Sequence, residues 1–385
     1  MADAGLNHLL AGARVVVCLG PGGVGKTTTA ATLAVAAARE GRRVAVLTVD
    51  PAARLKDALD LPPAAGELRA VPLGADTRGS LHALLLDAKG LFDDLVRRLA
   101  PTEALAERIL QNPIYCNVAG AFAGSDAYMA LEQLLDLAAD ERFDLIVVDT
   151  PPAAHALELF HAPRRILTLL ESRALEYLGE PLRILGAATS FFGRTLLAGV
   201  VRGLERLTGF SVLSNVSDLA QSFGHVAPIF RERAQRIESL LASPDTRFVL
   251  ATAPDPHTVL DVTAFAEELT RAGIRCRAVV VNRVFELPRP RPRAVRAEPA
   301  TAVPWDASLA RKLVSCARDL ETLHDGQQEL IARLRESLEE NTTLTEEGAS
   351  WLLLPALSPA PTSLAAIGEL ADALRAGRLR LRGAA

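Results

Sequence analysis

The stretch Gly20-Pro21-Gly22-Gly23-Val24-Gly25-Lys26-Thr27-Thr28 constrains this chain more than any other, because it follows an apolar run at 14–19 and opens a segment with helical spacing. Glycines at this spacing let the backbone wrap closely enough for successive N–H groups to point at a polyphosphate, and a helix N-terminus adds partial positive charge. The pattern Gly-x-x-x-x-Gly-Lys-Thr is meaningful only between a strand and a helix, and both flanks are present. A phosphate-binding loop is therefore predicted between a strand ending at Leu19 and a helix starting at Lys26. Gly20, Gly22, Gly23, Val24 and Gly25 would supply the backbone cradle. Lys26 would bridge the β- and γ-phosphates, Thr27 would ligate Mg²⁺, and Thr28 would reach the α-phosphate.

Further β-branched apolar runs occur at 43–49, 81–86, 144–149, 247–252, 277–282 and 351–354, separated by helical spacing in segments such as 30–42 and 262–272. Strands that read as nearly continuous apolar runs are covered on both faces. The expectation is an α/β fold: a doubly wound, mainly parallel sheet with ligands at the strand C-termini. One domain over 1–385 is expected, with helical insertions at 88–142 and 156–246 that together form a subdomain. The second insertion is rich in Leu and Phe, which fits either packing within the subdomain or a groove exposed in one nucleotide state. The Pro- and Arg-rich stretch 287–307 reads as a solvated surface loop, 308–338 as one long amphipathic helix, and 362–376 as a closing helix.

Two carboxylate-bearing segments complete the chemistry. The run 145–149 ends in Asp149, placed to hold the water shell of Mg²⁺, and continues as Asp149-Thr150-Pro151-Pro152-Ala153-Ala154-His155, a stiff loop suited to sensing a γ-phosphate. After the second run comes Asp50-Pro51-Ala52-Ala53-Arg54-Leu55-Lys56-Asp57. Asp50 could support the metal from its second shell. Asp57 admits two readings: it orients or deprotonates an attacking water, or it is a carboxylate favoured at a helix start by the dipole. The sequence thus implies a Mg²⁺-dependent nucleoside triphosphatase.

With 42 basic and 46 acidic residues the net charge is −4, so nucleic acid is not expected as a partner. Cys18, Cys116, Cys276 and Cys316 form no Cys-x-x-Cys pair, which argues against a zinc or local redox site and for buried free thiols. No run reaches the roughly 18 apolar residues that span a bilayer, and a cytoplasmic protein is expected.

Taken together these motifs resemble the arsenite-transporting ATPase family, which includes ArsA and the eukaryotic factor that delivers tail-anchored membrane proteins, within the wider MinD/ParA group. The resemblance rests on the phosphate loop, on Val49-Asp50-Pro51-Ala52 with Leu55 and Asp57, and on Asp149-Thr150-x-Pro152-x-x-His155. It also rests on Val281-Asn282-Arg283 and Leu353-Leu354-Pro355, while 112–135, with Ala123-Gly124 and Tyr128-Met129-Ala130, is similar to the single-domain bacterial branch. It implies that Lys26, Thr27 and Asp149 bind MgATP, with Asp50 supporting the metal and Asp57 positioning water. It also implies that Asn282 reads adenine, that Pro355 belongs to a loop closing over the base, and that His155 is part of a conformational switch. A homodimer, or a heterodimer with a paralogous ATPase, is implied, with a hydrophobic helix or membrane protein as a possible client and a peripheral place at the membrane through a partner. Two departures stand out. Pro21 occupies the position of the family's signature lysine, which puts cross-subunit activation in doubt, and the scattered cysteines argue against both arsenite binding and a zinc-bridged dimer.

Overall fold

In the computed structural model, residues 4–49, 54–62, 66–74, 77–86, 88–113, 115, 126–171, 212–287, 307–340 and 345–379 are described. The apolar runs become strands β1 (Val15–Leu19), β2 (Arg43–Thr48), β4 (Ser80–Leu85), β5 (Leu145–Asp149), β6 (Thr246–Thr252), β7 (Cys276–Val284) and β8 (Thr345–Pro355). A short strand β3 (Leu68–Ala70) adds an edge. Among the described residues they form one sheet in the order β3-β4-β2-β5-β1-β6-β7-β8. Every pairing is parallel except β3 with β4. The glycine loop therefore leaves the sheet from β1, near its centre, at the end where ligands bind in doubly wound folds.

The helices are α1 (Ala4–Leu10), α2 (Lys26–Arg39), α3 (Arg54–Ala58), α4 (Ala88–Leu99), α5 (Glu103–Leu110), α6 (Asp126–Ala139), α7 (Ala153–Glu171), α8 (Val212–Leu241), α9 (Pro256–Arg271), α10 (Ala307–Glu340) and α11 (Leu364–Arg375). Several start where side-chain chemistry dictates. Asp255 accepts bonds from the amides of His257 and Thr258 ahead of Pro256 at the start of α9, and Ser363 caps α11 through the Ala366 amide.

Alternation along each strand sends side chains to two cores. Val16, Cys18, Val44, Val46 and Val147 meet α1, α2, α3 and α11 on one face. Val15, Val17, Leu47, Ile146 and Val148 meet α4 to α9 and the end of α10 on the other. On this second face the helices also share a charged network. Arg233 of α8 bonds Glu132 and, at 2.6 Å, Asp136 of α6. The fully buried Glu132 accepts the Tyr128 hydroxyl, and Asp136 accepts Arg98 of α4 at 2.7 Å.

The structure departs from the sequence reading at several points. The segment after Asp149 is a loop only as far as Pro152, since α7 begins at Ala153, so His155 lies in its first turn. Cys18 and Cys276 are buried, as expected, but Cys316 is exposed on α10. Cys116, Ala123-Gly124, residues 172–211 of the second insertion, and 288–306 of the Pro- and Arg-rich stretch lie outside the described residues.

Candidate functional site

The loop 20–25 is held by its neighbours on both sides. Gly20 has φ 151° and lies against the carbonyl of Ala251 on β6, and Gly25 has φ 90° with the Asn282 amide where a Cβ would go. A side chain at either position would meet both a strained backbone and a collision. Asn282, 4% exposed at the end of β7, donates from Nδ2 to the Val24 carbonyl at 3.0 Å. Its Oδ1 accepts the amide of Arg283, a residue in the left-handed region at φ 61°. Asn282 thus fastens the loop to the sheet, a contact that the sequence offered no signal for.

Lys26 opens α2, is 7% exposed, and donates from Nζ to the Pro21 carbonyl at 2.8 Å. Pro21 therefore contributes through its backbone carbonyl. On β5, Asp149 is fully buried and accepts from the Thr48 hydroxyl at 3.1 Å. Thr150 donates to the Cys18 carbonyl at 2.6 Å and so ties this strand end to the start of the loop. Burial first, and then the Asp149 charge, push the Cys18 thiol well above its ordinary range, with Lys26 opposing, so this cysteine is an inert thiol and no nucleophile.

A cleft of about 570 Å³ opens above the loop. Gly23, Gly25, Lys26, Thr27 and Thr28 form its floor; Arg54 and Asp57 of α3, Thr150 and Pro152, Asn282 and Arg283, and Pro355 to Leu357 form its walls. It brings together most of the residues singled out from the sequence. Gly20, Gly22, Val24 and Asp149 do not line it: Val24 and Asp149 are buried and Gly22 is exposed. Asp50 lies outside the described residues, and of His155 only the backbone position is described. Asp57 faces solvent and pairs with Lys56 at 3.2 Å. The far end of α3 is tethered, since Asp60 accepts the Leu364 amide at the start of α11 at 2.9 Å. Arg54 and Arg283 are wall residues to which the sequence reading gave no role. The signal available was an arginine within the quoted segment 50–57 and another next to Asn282.

The donor set suits a hard cation. Thr27 and Asp149 offer oxygen, and among the described residues no cluster of three or more His, Cys, Asp or Glu could enclose a metal. Oxygen donors of this kind are what Mg²⁺ takes, together with waters and phosphate. Gly22 and Gly23 have nothing within 4 Å of where a Cβ would stand, which leaves room for an anion against the backbone.

A doubly wound parallel sheet with a Gly-rich loop leading from its central strand into a buried lysine at a helix start defines a P-loop nucleoside triphosphatase. The sequence profile described as anion-transporting ATPase matches residues 13–291, and the chain belongs to that family. It is 28% identical over 272 residues to ATPase ARSA2 of Chlamydomonas reinhardtii, covering 69% of this chain and 66% of that protein. An uncharacterised protein of Streptomyces coelicolor is 32% identical over 274 residues, covering 71% and 63% respectively. ATPase GET3 of Podospora anserina is 25% identical over 276 residues, covering 70% and 73%. The chain thus spans slightly less than two thirds of the length of the first two. Among the described residues no helix is long and apolar enough to cross a membrane.

Proposed function

We propose that this chain hydrolyses ATP with Mg²⁺ and couples binding and hydrolysis to rearrangement of a dimer and its helical insertions. The observation that carries the reading is the cleft floor, where Lys26, Thr27 and the glycine backbone converge at the start of α2. Lys26 exchanges the Pro21 carbonyl for phosphate oxygens and stabilises the charge that develops during cleavage. Thr27 and Asp149, with Asp50, would hold Mg²⁺, which when bound neutralises phosphate charge. Asp57, on the cleft wall and exposed to solvent, orients a water toward the γ-phosphate. Asn282 and Pro355 border the base, and His155, at the head of α7, belongs to the switch that follows loss of the γ-phosphate. Arg54 and Arg283 are the cleft cations available to take over the duty of the missing signature lysine.

Membership of the family supports a dimer, with a second copy or a paralogue, and a cytoplasmic placement, peripheral at the membrane through a partner. The insertions 88–142 and 156–246 form the moving subdomain. A second reading, in which ATP only switches the capture of a hydrophobic helix or membrane-protein client, draws on the leucines and phenylalanines of the second insertion. Nucleotide-dependent binding of a hydrophobic peptide separates the two.

The test of the main reading is steady-state turnover. Lys26→Ala is expected to lose about 10³-fold or more in kcat. Asp57→Asn is expected to lose about 10²-fold with ADP affinity kept. Undiminished turnover in Lys26→Ala removes the assignment, and undiminished turnover in Asp57→Asn returns that carboxylate to a purely structural place.

A further inference from the structure

Helix α3 ends on two backbone bonds, the Leu61 amide donating to the Lys56 carbonyl at 2.9 Å and the Asp60 amide to the Asp57 carbonyl at 3.3 Å. This double closure puts the residue just past the helix in the left-handed region, where glycine is the ordinary choice. Here that residue is Asp60, at φ 52°. A side chain tolerated in a strained position points to a role elsewhere, and that role is visible 304 residues along the chain. The Asp60 carboxylate accepts the amide of Leu364, the first residue of α11, at 2.9 Å. That helix has no acidic residue in its own first turn, so Asp60 brings the negative charge that its N-terminus favours.

The bond joins two walls of the cleft. Arg54 and Asp57 stand on α3, while Pro355, Leu357 and Thr362 belong to the segment that runs from β8 into α11. That segment is also held at its start, where the Ala356 amide donates to the Val284 carbonyl at 2.9 Å. Prolines at 355, 359 and 361 restrict its backbone. Leu55 and Leu59 are fully buried in the core against which Leu357 and Leu364 pack. The two walls therefore share one interior, and the Asp60 carboxylate fixes how they meet.

We propose that Asp60 is a positioning residue through which these walls close on the nucleotide as one unit, so that docking of the base places Asp57 for its water. This deepens the reading of the cleft as an ATP site and rests on it. Asp57 gives its own carbonyl to the Asp60 amide, so a shift of α11 and its loop reaches the Asp57 backbone through two hydrogen bonds in series. Binding energy gained at the base is then used to orient the reacting groups at the other end of ATP, which raises kcat as well as affinity. Without the Asp60 carboxylate the loop still receives the base, but α3 no longer follows it.

The experiment combines ATP turnover with hydrogen exchange of the full chain, with and without ADP and Mg²⁺, in three variants beside the unsubstituted chain. Asp60→Gly removes the carboxylate and suits the left-handed backbone. Asp60→Asn keeps an acceptor oxygen and tolerates the same conformation. Ser363→Ala removes the cap that bonds Ala366 and leaves Asp60 in place, which controls for a weakened α11. In the unsubstituted chain ADP should slow exchange both in 355–364 and in 54–61. Asp60→Gly should keep the first protection, lose the second and lose about tenfold in kcat. Asp60→Asn should stay within about threefold of the unsubstituted kcat, and Ser363→Ala should melt lower with both protections and kcat kept. Protection of 54–61 that persists in Asp60→Gly, an undiminished kcat there, or the same losses in Ser363→Ala overturns the coupling and leaves the ATP site standing. An unsubstituted chain with no affinity for ADP overturns the ATP site itself, and the coupling falls with it.

Discussion

The two faces of the sheet are covered by different materials. On the face that carries the phosphate loop, the cover is small and apolar: in α2 the residues Ala30, Ala31, Ala34, Ala36, Ala37 and Ala38 are fully buried, with α11 laid beside them. On the opposite face large residues and charges share the interior, with Tyr128, Glu132 and Arg233 joining α6 to α8. Alanines let a helix approach the strands closely and leave little freedom to slide, which suits a helix whose first residue is Lys26. Ionic networks instead fix orientation between helices at a cost in desolvation, and here they join helices α4, α6 and α8 of the two insertions. One face is built to hold a loop still, and the other to define how helices meet.

That contrast can be broken most forcefully on the charged face. Arg233→Met leaves Glu132 buried with the Tyr128 hydroxyl but without its cation, and an uncompensated buried charge of this kind costs about 3–5 kcal/mol. Urea unfolding measures it. Adding Glu132→Gln to the same chain should recover most of the loss. A cost below about 1 kcal/mol for Arg233→Met would mean that the network does not hold α6 to α8.

A smaller effect is expected on the alanine face. Ala34→Leu pushes three extra carbons into a fully buried position of α2, and overpacking of this sort costs about 1–3 kcal/mol. Because α2 begins at Lys26, the same substitution should also raise KM for ATP. A neutral melting temperature with unchanged KM would show that this face has slack.

The smallest effect is one of pH. His82 on β4 stacks edge-on against Phe143, and burial first, then Arg142, lowers its pKa from 6.5. The folded state therefore resists protonation more than the unfolded chain does. Its stabilising contribution is full above pH 6.5 and is lost as the pH falls below that value, while the unfolded chain takes up the proton. Urea midpoints compared between about pH 7.5 and about pH 5.5 should fall for the native sequence and fall less for His82→Phe. An equal fall in both would assign the acid sensitivity elsewhere.

Much of this architecture was legible in the residues. Continuous apolar runs marked the parallel strands to within a few residues of their ends, because burial on both faces leaves no room for alternation, except that β8 starts six residues before its apolar run, in the polar stretch from Thr345. The exception is β3, whose Leu-Arg-Ala sequence is half exposed at an antiparallel edge and carries no apolar run. Helix α1 was missed as well, being short and anchored by distant contacts such as His8 with Ser350. At the site, the loop glycines, Lys26 and Thr27 could be read locally because the chemistry lies within one turn of chain. The bond from Asn282 to Val24 spans 258 residues, and no local pattern announces it. The same is true of Arg233 and Glu132, which look on sequence like solvated helix charges and become a partly buried pair, with Glu132 fully enclosed, only once α6 and α8 meet. Asp57 shows the opposite case: its motif was readable, and the structure adds its place on the cleft wall and its pairing with Lys56.

The most direct measurement is calorimetric titration of nucleotide into the full-length chain with magnesium present. Saturable binding of both ATP and ADP, lost in Lys26→Ala while the fold persists, is the predicted result. Absence of any affinity for either nucleotide in the unsubstituted chain would contradict the claim that the amides of Gly22 to Lys26 receive a polyphosphate.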